Sequence, residues 1–211
     1  MGQVLDYIVS LGQNEGLALK QLTFKMTMLL ALACAGRSSD LHACDTRFML
    51  LSEESVTFTF AKLTKSRRKG QPPIKVELHK LAEKPQLCVV NTLNAYLERT
   101  SRFRDRKDGW TRSQLLLSFV EPHKPVVSCT VAGWLLKLMA EAGIDTGKFK
   151  AHSTRGASTS KAAALGLSCK EILSMAKWKN KSTFVKHYHR QVEKSVSKPK
   201  TFEDVVLGVT L

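Results

Sequence analysis

At 211 residues the chain is long enough for one large domain or two small ones, and 43% hydrophobic with 24% charged residues is an ordinary globular balance. Lys and Arg outnumber Asp and Glu by 33 to 18, a formal charge of +15 that points to a polyanionic partner, because each phosphate neutralised releases counterions. Charge alone leaves open a basic protein of another kind, such as one bound to ribosomes. The cysteines (Cys34, Cys44, Cys88, Cys129, Cys169) include no Cys-x-x-Cys pair, which fits neither a zinc framework nor a secreted disulfide pattern. The first residues lack a basic n-region and cleavage site, and the most apolar run, Met26 to Ala35, is too short to span a bilayer. These features describe a soluble, intracellular protein with reduced cysteines and no membrane segment.

Residues 1–15 read as a leader. Gly16 to Ala35 is the first expected helix, with Leu19, Leu22, Met26, Leu29 and Leu30 at helical spacing, ended or bent at Gly36 and followed by Arg37-Ser-Ser-Asp40-Leu. Ser55 to Phe60 and Ile74 to Leu78 alternate as strands with one buried face. The connection between them, AKLTKSRRKGQPP, is long for a hairpin and dense in positive charge, which marks it as a functional loop. A solvated tip or a nuclear localisation patch fits the same composition.

Helical patterning returns at Val89 to Arg99 and at Thr130 to Ala142, with Gly143 as a C-cap. A short helix is expected from about Thr154 to Leu165, stopped by Gly166, and Ser168 with Glu171 forms a capping box for the next one. Ser182 can cap a helix that carries Phe184, Tyr188 and Val192 on one face. Residues 16–193 then form one domain, mainly α with a small antiparallel β-sheet. Residues 194–211 are a tail in which a polar, Pro-containing tether leads to the apolar segment Phe202 to Leu207.

The residues able to do chemistry on a phosphate come in a definite order: Arg37 in AGRSSDL, Lys65 in the loop between strands, His152 and Arg155 in AHSTRGA, Trp178 in AKWKNKS, and Tyr188 in STFVKHYHR. Arginine suits a phosphate because its planar fork donates two hydrogen bonds and keeps its charge. Each piece has a plainer reading by itself: Arg37 pairing with Asp40, His152 and Arg155 in a helix-start network, Trp178 and Tyr188 as packing. His187 and His189, two apart on a helix, point away from each other and suggest no metal site.

Together, this order and these contexts resemble the catalytic domain of the tyrosine recombinase (phage integrase) family, over roughly residues 16 to 192. The resemblance implies the fold of those DNA breaking-rejoining enzymes and strand cleavage with no metal or other cofactor. Tyr188 would attack the scissile phosphate and form a 3′-phosphotyrosyl link. Arg37 and Arg155 would grip the non-bridging oxygens, and Asp40 would orient the active-site groups. Lys65 would protonate the leaving 5′ oxygen, with Lys62 and Lys69 as alternatives nearby. His152 would hydrogen-bond the phosphate and assist proton transfer. Trp178 stands where many members have His, and its indole N–H donates but cannot accept a proton.

Lys62, Arg67, Arg68 and Lys69 would contact the double-stranded DNA. The resemblance further implies a homotetramer on DNA, with the C-terminal segment docked on a neighbouring subunit. Family members usually carry an N-terminal core-binding domain, which is missing ahead of residue 16 or belongs to a longer parent. The helix LCVVNTLNAYL and the end STFVKHYHR are similar to recombinases of eukaryotic mobile elements, which would place the protein in the nucleus; otherwise it would be cytoplasmic or nucleoid-associated. A type IB topoisomerase-like enzyme, or a domesticated DNA-binding module without catalysis, are the alternatives.

Overall fold

The computed structural model describes residues 1–60, 73–104, 113–176 and 202–207. Its centre is helix α2 (Leu19–Ala33), in which every residue from Leu22 to Ala33 is buried. A helix buried all round must be surrounded by other elements. Around it pack α3 (Ser38–His42), α4 (Val89–Arg104), α5 (Ser128–Glu141) and α6 (Ser153–Ala164). The threonines of α2 close their hydroxyls onto the helix itself, Thr23 to Leu19 O and Thr27 to Thr23 O, both at 2.7 Å, so they enter the core with hydrogen bonds satisfied.

One cation is buried in that helix. Lys25 is fully buried and its Nζ donates to the Gly12 carbonyl at 3.1 Å. Burial lowers its pKa, against an opposing pull from Glu15. The folded chain therefore binds fewer protons here than the unfolded chain, and stability rises with pH between the folded value and the unfolded one near ~10.4. Urea unfolding of the wild type should show a higher midpoint at alkaline pH than at neutral pH, and Lys25→Met should flatten that rise. An unchanged pH slope in the variant would show that Lys25 ionises in the folded protein as it does in water.

The leader contains a helix of its own, α1 (Gly2–Ser10), which buries Val4, Leu5 and Ile8. The expectation of a first helix at Gly16 is thus corrected. Val4, Leu5 and Ile8 stand at helical spacing and turn one face of this short helix onto the core. The sheet is three antiparallel strands in the order β1 (Met49–Leu51), β2 (Ser55–Phe60), β3 (Ile74–His79). Val56, Phe58 and Phe60 face the core and pair with Leu78, Val76 and Ile74. Strand β1 has no alternation to reveal it: Leu50 is 72% exposed, and β1 forms by pairing along β2.

Turn chemistry places the later helices as expected. Gly143 (φ 77°) and Gly166 (φ 92°) end α5 and α6 in left-handed conformation, each with paired bonds back to the last helical turn. The Ser168–Glu171 box opens α7 (Cys169–Met175), with Ser168 N–H to Glu171 Oε2 at 2.8 Å. Tyr96 of α4 is a core residue whose hydroxyl accepts the Leu117 N–H at 2.9 Å. Arg104 ends α4 by donating to the Gln114 and Leu115 carbonyls at 2.8 and 2.9 Å.

The C-terminal segment is helix α8 (Phe202–Leu207), seated on α2, α6 and α7 of its own chain with Phe202, Val206 and Leu207 buried. In the single chain the segment thus finds a seat within its own fold, where the resemblance implies one on a neighbouring subunit. A six-residue helix is not stable alone, and here the chain's own α2 and α6 supply the apolar floor. Lys161 of α6 donates to the Val206 carbonyl at 3.2 Å, a cation at a helix C-terminus. Burial and the nearby Lys84 lower the Lys161 pKa, against Asp6 of α1. Among the described residues, no helix is long and apolar enough to cross a membrane, and no group of three His, Cys, Asp or Glu could hold a metal ion.

Candidate active site

The site begins where α2 ends. Ala35 takes a left-handed conformation (φ 42°), Ala35 N–H bonds back to Leu32 O, and Gly36 N–H bonds to Ala31 O. This is the same cap that Gly143 and Gly166 make, but with a residue that carries a Cβ. Left-handed conformation costs such a residue about 1–2 kcal/mol, and strain of this kind persists only where surrounding structure imposes it. Gly36 follows in close approach to α3, since a Cβ there would sit 3.1 Å from Leu41. The turn delivers Arg37 to the start of α3, half-buried, with its backbone N–H donating to Asp40 Oδ2 at 3.1 Å.

Helix α6 brings the second arginine. Arg155 lies in its first turn, 2% exposed, and its Nη1 donates to the Ala35 carbonyl at 2.8 Å. Its Nη2 donates to the carbonyl of Ala176, at the end of α7. The same Nη1 lies 3.9 Å from Asp40 Oδ2. Burying this pair is costly, and it holds only because both ions have further hydrogen bonds. Asp40 thus ties the backbone of Arg37 to the guanidinium of Arg155. The ion pair of Asp40 runs to an arginine on another helix, while its neighbour Arg37 donates to it through the backbone N–H.

Three of the expected site residues, Arg37, Asp40 and Arg155, therefore converge. His152 stands exposed at the start of α6, its carbonyl accepting the Arg155 N–H at 3.2 Å. Lys62, Lys65, Arg67, Arg68 and Lys69 fall in the β2–β3 connection, and Trp178 and Tyr188 follow α7; all seven lie outside the described residues. The carbonyls of Ala35 and Ala176 were not legible in the sequence, because any residue supplies a carbonyl.

A neighbouring cluster braces α3. His42 Nδ1 lies 2.8 Å from Val126 O and 3.0 Å from Gln114 Nε2. Asp45 accepts from the Arg47 side chain at 2.8 Å and from Ser113 Oγ at 3.1 Å. Burial raises the Asp45 carboxyl pKa, but the hydrogen bonds and charge of Arg47, with Ser113, outweigh it and leave the group below its usual value.

No family model matches the chain, and no curated protein matches it in sequence. Solved structures do match it in fold. The XerH site-specific recombinase bound to difH substrate in a pre-cleavage complex superposes with a TM-score of 0.65 at 12% identity, over 90% of this chain and 48% of that one. The XerA recombinase gives 0.56 at 15% identity, over 81% and 58%. A lambda integrase dimer bound to a COC′ core site gives 0.53 at 12%, over 92% and 60%. The chain spans about half the length of the XerH structure. It has the tyrosine recombinase catalytic fold: mainly helical, with a small antiparallel sheet.

Proposed function

We propose that this domain cuts and rejoins double-stranded DNA through a covalent bond to Tyr188. The observation that carries the reading is the meeting of Arg37, Asp40 and Arg155 from two distant segments, in a fold shared with solved DNA recombinases. Tyr188 attacks the scissile phosphate, the bond to the 5′ oxygen breaks, and Lys65 protonates that oxygen as it leaves. Arg37 and Arg155 neutralise the charge that builds on the non-bridging oxygens, where pre-positioned donors act most strongly. His152 and the indole N–H of Trp178 add hydrogen bonds to the phosphate, and His152 assists proton transfer. Asp40 is a positioning residue. Lys62, Arg67, Arg68 and Lys69 hold the DNA backbone. Assembly is as a tetramer on paired sites, and the parent is a mobile-element recombinase acting in the nucleus of a eukaryote.

A second reading, a DNA-binding module without catalysis, draws on the burial of Arg155, whose guanidinium is engaged with the Ala35 and Ala176 carbonyls. Nicked suicide DNA separates the two. A covalent adduct that survives denaturation and is unaffected by excess chelator supports the enzyme; binding without any adduct supports the module.

The general acid has its own test. A 5′-bridging sulfur leaves with little need of a proton, so Lys65→Ala should be slow on normal DNA and largely rescued on the thio substrate. Rescue of Lys62→Ala or Lys69→Ala instead would move the role to that lysine.

A further inference from the structure

A groove of about 650 Å³ opens beside His152, between α1, α2, α5 and α6. That is within the ~300–1,000 Å³ of sites that hold small organic groups. Val4, Met28, Leu32 and Met139 form its buried floor, and Ala157 and Ser160 of α6 line one wall. Its lining includes the exposed Phe149 (46%), Lys148 and His152.

The loop that presents Phe149 is tightly built. Asp145 accepts the Gly147 N–H at its carboxylate (2.9 Å) and the Phe149 N–H at its carbonyl (2.9 Å), while Lys150 N–H donates to Ser153 Oγ at 3.1 Å. A large ring is thus held in solvent between Lys148 and Lys150, three residues before His152. An aromatic face between cations, over an apolar hollow, is the chemistry that receives an unstacked base while its phosphates stay with the lysines.

We propose that this groove binds a nucleobase unstacked from the DNA strand next to the scissile phosphate, with Phe149 as its stacking face and Lys148 and Lys150 on the adjoining phosphates. Two features favour a nucleotide over an apolar peptide. Lys148, 3.7 Å from Asp145, stands at the mouth in a chain of charge +15, and His152 lines this groove as well as being the proposed phosphate ligand. The proposal rests on that reading of His152 for its place on the DNA.

The test uses binding and needs no cleavage. A fluorescein-labelled duplex with a short single-stranded gap is compared with the intact duplex at one fixed ionic strength, because salt moves both affinities. The full chain should prefer the gapped duplex by roughly tenfold, the scale of one base–aromatic stack. Phe149→Ala removes the stacking face at an exposed position, and Ala157→Trp fills the hollow. Both should bind intact duplex like the wild type and lose the preference, with unchanged thermal unfolding as the control. No preference in the wild type, or a preference kept in both variants, overturns the proposal. So does a loss of self-association in Ala157→Trp with the gap preference intact, which would assign the groove to a segment of a second copy. Failure of the recombinase reading is seen separately, as an absence of Tyr188 adducts in a protein whose gap preference can still be measured.

Discussion

Tyr188→Phe is expected to lower covalent DNA adducts by at least ~10³-fold while DNA binding and folding persist. The scale is that of removing the nucleophile from a catalytic unit, where the remaining groups cannot replace it. Phe keeps the ring, so any packing that Tyr188 shares with Phe184 and Val192 survives, and only the attacking oxygen is lost. Trapping on suicide DNA followed by denaturing electrophoresis reads the effect directly. Adducts at the wild-type level would place the nucleophile at another residue, with Tyr7 and Tyr96 as the other tyrosines. Tyr96 is unsuited to attack, being buried and hydrogen-bonded to Leu117, with burial raising its pKa. Tyr7 instead donates to Glu141 Oε2 at 3.1 Å.

The second large effect concerns the arginines, and the structure separates the two. Arg37→Lys and Arg155→Lys each keep the charge and lose the fork, so cleavage should fall by roughly 10²-fold or more. Arg155 also joins Ala35, Ala176 and Asp40 in the interior, where a lysine cannot reproduce the spread of its donors. Its variant should therefore lose thermal stability as well as activity. Arg37 is half-buried, and its contribution to Asp40 comes through a backbone N–H that substitution leaves in place. Arg37→Lys should cut slowly in a protein that still folds and keeps that backbone bond. Single-turnover cleavage beside thermal unfolding measures both. A loss of under about threefold at both sites would remove the arginines from the phosphate role.

What the sequence determined by itself is what local chemistry encodes within a few residues. The alternation of Ser55 to Phe60 set strand β2 and its buried face, Gly143 and Gly166 set the ends of α5 and α6, and Ser168 with Glu171 set the start of α7. The order Arg37, His152, Arg155, Tyr188 suggested the fold that the solved recombinases share. Tertiary structure decided the rest. Strand β1 carries no alternation to declare itself and exists because β2 pairs with it, while α1 is held by the core that covers Val4, Leu5 and Ile8. Helix α8 chose its own chain for an apolar face that composition alone left without an address. The left-handed Ala35 violates the local preference that Gly143 and Gly166 obey, and its carbonyl meets Arg155 from 120 residues away. The cost of a buried charge depends on partners that only the folded chain assembles. Sequence could therefore name Arg37, Asp40 and Arg155, while only the pairing of Asp40 with Arg155 across the fold brought them together.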